Sequence, residues 1–168
     1  MSKFIVLLGS VSLLSFAGIG IVCAEEEKVP PDQIPKAVMD ALLAKFPKAK
    51  IDSCIKEKEG DDVIYDIEFK QESRKCEADI KESGVYINYE KAIEAKDLPK
   101  AVLEATEKRY PGAKLQEIME ETGVSGKEEK LAAYEIVLVT ADKKEEEVRL
   151  SPDGKILEDT GAQPEEKK

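Results

Sequence analysis

The sequence predicts an α+β fold: two tandem repeats, each with one helix packed on a roughly four-stranded antiparallel sheet. Three observations carry this expectation. Ile34-Pro35-Lys36-Ala37-Val38 returns as Leu98-Pro99-Lys100-Ala101-Val102, and Phe46-Pro47-Lys48-Ala49-Lys50 returns at the same offset as Tyr110-Pro111-Gly112-Ala113-Lys114. A period this long suits two small units better than a solenoid array. Apolar residues then recur at helical spacing ahead of each second motif, and at alternating spacing after it.

The helices come first in each unit. Ile34, Ala37, Val38, Ala41, Leu42 and Phe46 form one apolar stripe, and Leu98, Ala101, Val102, Ala105 and Tyr110 form its counterpart. Asp32 and Asp97 are the candidate N-caps, with Pro35 and Pro99 in the first turn, where a missing N–H costs nothing. Pro47 and Pro111 end both helices.

Strands are expected at 51–56, 63–70, 75–81 and 85–89, and again at 114–120, 132–140, 145–150 and 155–157. Turn residues such as Glu59-Gly60-Asp61-Asp62, Ser83-Gly84 and Ser151-Pro152-Asp153-Gly154 separate them. Val63, Tyr65, Ile67 and Phe69 share one face and Asp66, Glu68 and Lys70 the other, the pattern of an antiparallel sheet with one dry side. The second unit carries a longer loop at 122–128.

Domain boundaries follow from composition. Met1-Ser2-Lys3, an apolar run to Val22, and Cys23-Ala24 before Glu25-Glu26-Glu27 read as a secretory signal peptide over 1–24. An uncleaved anchor and a lipid-modified Cys23 are the alternatives. Residues 25–31 read as a flexible leader, 32–94 as the first repeat, 95–160 as the second, and 161–168 as a disordered tail. The protein is therefore expected in the periplasm or outside the cell.

The formal charge of −10 argues against nucleic acid and, once the signal is cleaved, against an anionic membrane surface. Histidine is absent from the chain. That removes Ser-His-Asp and Cys-His nucleophiles and HExxH metalloprotease chemistry. No phosphate-binding glycine loop or calcium loop is present, so no catalytic residue, cofactor or metal is expected. With five tyrosines, four phenylalanines and no tryptophan, stacking platforms are scarce too.

Cys54 and Cys76 are the candidates for one disulfide inside the first repeat, in an exported chain where thiols oxidise. Strand parity opposes the bridge: Ile51 and Ile55 facing inward would turn Cys54 outward, while Cys76 shares the inward parity of Ala78 and Ile80. A bulge or a different strand order is then required.

The helix, the Phe/Tyr-Pro-x-Ala-Lys motif, Tyr65-Asp66-Ile67 with Tyr134-Glu135-Ile136, and Ser151-Pro152-Asp153-Gly154-Lys155-Ile156-Leu157 together resemble the PepSY-like, β-lactamase-inhibitor-like family. The likeness runs from Ile34 to Asp159 and marks fold positions, not chemistry. It implies a small exported module with relatives among peptidase propeptides and in a protein inhibitor. Inhibitors of that fold bind through a concave sheet face and protruding hairpins. The expected function is thus a non-catalytic protein-binding module, a modulator or inhibitor of an envelope peptidase or related enzyme. The alternative is an acidic ligand- or cation-sensing or structural envelope protein. The partner is expected to be another exported or envelope protein, and the candidate surface comprises Asp66, Glu68, Glu135 and Val137 with Val124 and Lys127 from the long loop.

Overall fold

The computed structural model describes residues 27–161. The signal peptide expected at 1–24, the first two residues of the leader and nearly all of the tail lie outside them. Nine strands run in chain order: β1 (Glu27–Lys28), β2 (Lys50–Glu59), β3 (Asp62–Gln71), β4 (Arg74–Lys81), β5 (Tyr86–Ala92), β6 (Lys114–Ser125), β7 (Glu128–Val139), β8 (Glu145–Leu150) and β9 (Ile156–Asp159). Helix α1 (Lys36–Lys45) lies between β1 and β2, and α2 (Lys100–Arg109) between β5 and β6.

The expected pair of four-stranded sheets is overturned. All nine strands form one antiparallel sheet in the order β1 to β9, because β5 pairs with β6 over Asn88–Ala92 and Met119–Gly123. An open edge on each half would leave a row of unpaired N–H and C=O groups, and joining them satisfies both rows. Residues 27 and 28, within the stretch expected as a leader, pair with Lys56 and Ile55 respectively as an edge strand.

Direct cross-strand partners point to the same side of a sheet. Cys76, Lys91, Glu120, Tyr134 and Leu150 are linked one to the next in this way from β4 to β8. Both hydrophobic cores therefore lie on one face, and both helices cover that face. Under α1, Val38 and Leu42 meet Ile67, Phe69, Ala78 and Ile80; under α2, Val102 meets Ile118, Ile136, Leu138, Val148 and Leu150.

The helix starts differ from expectation. Asp32 and Asp97 fall in short 3-10 turns, Pro31–Gln33 and Ala95–Asp97, and Pro35 and Pro99 occupy the N-cap positions without a side-chain cap. Ile34 and Leu98 are extended, at ψ 130° and 138°. A residue preceding proline is driven out of the helical region, so each helix begins one step after the proline. Phe46 and Tyr110 close the helices: their N–H groups donate to Leu42 O at 2.7 Å and Thr106 O at 2.8 Å, and their rings are buried in the two cores. The Phe46 ring stands 4.9 Å from Phe69 and 5.6 Å from Tyr89.

The expected loop at 122–128 is mostly strand. β6 runs to Ser125 and β7 resumes at Glu128, around a tight turn with Gly126 at φ +63°. Lys45 on α1 pins this long hairpin, reaching Glu129 at 2.5 Å and lying 4.2 Å from the Tyr89 ring centroid. The Tyr89 hydroxyl donates to Glu129 as well, at 2.9 Å.

The disulfide expected between Cys54 and Cys76 is not formed; both side chains are buried. A bulge at Asp52 reverses the parity of β2, so that Cys54 faces α1 opposite Ile67. Cys76 faces the same side opposite Phe69. Strand β3 stands between them, and two strand spacings are too far for a bridge.

Candidate functional site

Neither helix covers the second face of the sheet. Its central feature is a row of carboxylates: Glu68 on β3 is the direct partner of Glu77 on β4, Glu77 of Glu90 on β5, and Glu90 of Glu121 on β6. Asp66 and Asp79 pair on the adjacent rung, with Asn88 next to Asp79. Beyond the row, Glu135 on β7 pairs with Met119 on β6 and Arg149 on β8, while Val137 pairs with Glu117 and Glu147.

Three buried apolar residues sit among these acids and belong to neither core. Ile64 is 2% exposed, Met119 3% and Ala133 fully buried. Such burial on a face without a covering helix means that the neighbouring side chains close over it. Glu121, only 7% exposed, accepts two bonds from the Arg149 guanidinium, at 2.6 and 2.9 Å. The Lys75 ammonium lies 3.0 Å from Glu77 and 2.6 Å from Glu117. Ser53 donates to Glu68 at 2.5 Å.

The surroundings alter the acids themselves. Burial, then the charge of Glu135, pushes Glu90 up to about 9. Burial, then Glu147 and Glu77, pushes Glu135 up to about 8. Burial also raises Glu77 and Glu147. Among the described residues no group of three or more Cys, Asp or Glu side chains is placed to hold a metal ion.

Asp66, Glu68, Glu135 and Val137 share this face with the acidic row. Val124 does not: it packs against the core beneath α1, on the helix side. Lys127 is exposed at the tip of the β6–β7 hairpin. On the helix side an open groove of about 770 Å³ runs beside that hairpin, lined by Ile87, Val124, Leu131 and Pro152. Sequence reasoning overlooked Glu90, Met119 and Ala133 as members of one surface. The available signal was Ile118-Met119, two adjacent large apolar residues in a strand, which requires a buried side chain on each face.

A family model matches residues 20–84 and again 63–158, under the description of a beta-lactamase-inhibitor-like, PepSY-like protein given provisionally. The chain belongs to the PepSY-like family. No curated protein matches significantly. Among solved structures, a protein of Bacteroides eggerthii, provisionally described as periplasmic, is 13% identical with a TM-score of 0.58, over 74% of this chain and 86% of that one. A DUF2874 family protein of Bacteroides uniformis is 16% identical, with a TM-score of 0.57 over 74% and 87%. A BLIP-like protein of Bacteroides fragilis is 20% identical, with a TM-score of 0.53 over 82% and 92%. At such identities these likenesses establish the PepSY-like fold and nothing narrower. No helix among the described residues is long and apolar enough to cross a membrane.

Proposed function

We propose that this PepSY-like chain is a non-catalytic protein-binding module of the cell envelope, which engages another exported protein through the helix-free face of its sheet. One observation carries the reading: that face combines a continuous row of acidic side chains with buried apolar residues, and no element of the described chain covers it. An uncovered charged face held rigid by apolar residues packed beneath it suits a partner surface, where complementary charge sets orientation and encounter. The acidic row favours a partner presenting lysine and arginine. Modulation or inhibition of an envelope enzyme is the specific form of this reading, and the beta-lactamase-inhibitor-like description of the family is what supports it. The likeness to a protein described as periplasmic fits the compartment.

The test is capture from envelope extract with three baits. The native chain should retain a partner that Glu68→Lys with Asp66→Lys loses and that Glu104→Lys, on the outer surface of α2, keeps. Equal retention by all three baits would place binding elsewhere and overturn the assignment of this face.

A further inference from the structure

Four glutamates in direct cross-strand register are costly when ionised, because like charges opposite one another destabilise a sheet. The cations on this face do not offset them all. Facing Glu90 are Lys75, Glu77 and Asp79 from β4, with Asp66 and Glu68 beyond on β3. On its other side stand Glu117 and Glu121 from β6, Glu135 from β7, and Glu147 and Arg149 from β8. Lys75 is engaged by Glu77 and Glu117, and Arg149 by Glu121, with Glu158 of β9 at 3.7 Å; Lys70 on β3 and Lys81 on β4, further along the same face, are drawn to Asp52 at 3.2 Å and Asp62 at 2.6 Å. Glu90 keeps a buried carboxyl oxygen, Oε2, with no hydrogen-bond partner. Met119 and Ala133 add buried apolar surface to its surroundings.

We propose that Glu90 and Glu135 are carboxylic acids in the folded protein at neutral pH and that their ionisation loosens the centre of the sheet, making this face a proton-operated switch. The inference rests on register, burial and cation count, and it stands whether or not a partner binds there. Burial and mutual repulsion place the two groups at about 9 and about 8, against an ordinary 4.5. The unfolded chain loses these protons near the ordinary value, whereas the folded chain holds them until pH 8 to 9. Between those limits the folded state binds more protons, so stability falls as pH rises. Each group shifts the folding equilibrium about tenfold per pH unit inside the window. Near neutrality Glu90 can then donate a hydrogen bond that an ionised carboxylate cannot.

Urea unfolding of the purified chain at pH 5, 6, 7, 8 and 9 tests this. The native chain should lose about 1,000- to 10,000-fold in folding constant between pH 6 and 8, two groups each contributing about tenfold per unit over two units before any discount for screening. Glu90→Gln and Glu135→Gln, which imitate the protonated acids, should each flatten that decline by about tenfold per unit. Glu104→Gln, on the surface of α2, should leave it unchanged. A native chain as stable at pH 8 as at pH 6, or glutamine variants that retain the full decline, would overturn the proposal. If the variants fail to fold, carboxyl carbon NMR of the native chain decides: midpoints for Glu90 and Glu135 above 7 support it, and midpoints between 4 and 5 refute it.

Discussion

The turn before β9 offers a test of how closely the helices sit on the sheet. Gly154 has φ +85°, and a Cβ built there would lie 2.5 Å from the carbonyl oxygen of Ala101 and 2.8 Å from its carbonyl carbon. Both are backbone atoms of α2, which cannot swing aside. Gly84 makes the corresponding approach under α1, at φ +85° and 2.8 Å from Ala37 O. Gly112 has φ +74° with nothing within 4 Å of an added Cβ. Replacing Gly112 by alanine therefore incurs only the left-handed backbone penalty, about 1–2 kcal/mol. At Gly154 the same penalty is joined by an overpacking cost of about 1–3 kcal/mol, giving about 2–5 kcal/mol. For a domain of this size each kcal/mol corresponds to about 3–5 °C in Tm. Urea titration with calorimetry should rank the losses Gly154→Ala, then Gly84→Ala, then Gly112→Ala. Equal losses at Gly154 and Gly112 would refute the close approach of the turn to α2.

Three further outcomes follow from the packing. Arg149→Leu should destabilise by about 3–5 kcal/mol in chemical denaturation, since it strands the buried Glu121 carboxylate without its cation; Arg149→Lys, which keeps the charge and loses the fork, should cost visibly less. Phe69→Ala should cost about 3–5 kcal/mol, because Phe69 is fully buried and packs its ring against the tilted ring of Phe46 beneath α1. Non-reducing peptide mapping of the alkylated, unfolded protein should find Cys54 and Cys76 each labelled, not joined, while the folded protein resists the reagent.

Local pattern made much of the fold legible. The paired helices were read from spacing, their ends from Phe46-Pro47 and Tyr110-Pro111, and the inward set Tyr65, Ile67 and Phe69 from alternation; all three side chains are buried. Alternation fails where a strand gains a residue, and unmatched residues occur at Asp52, Ile87, Gln116, Ala132 and Leu157. Each such insertion exchanges the two faces for everything beyond it. That is why parity alone turns Cys54 to the wrong side, whereas Val124 joins the candidate surface only because 122–128 reads as a loop. The β6–β7 hairpin was shortened in the sequence reading because Gly123 and Gly126 resemble a loop, although Gly123 pairs with both Asn88 and Lys130.

The sequence by itself determined which residues seek a core, where the helices stop and which chemistries a chain without histidine lacks, because each depends on residue type and near-neighbour spacing. Tertiary structure alone decided that one sheet replaces two, since nothing local encodes the pairing of β5 with β6 across the α2 segment. The acidic row arises from the same decision. Glu77, Glu90 and Glu121 are ordinary solvated residues in a linear reading, and become opposed carboxylates, half-buried at Glu77 and Glu90 and buried at Glu121, only once three strands are laid side by side.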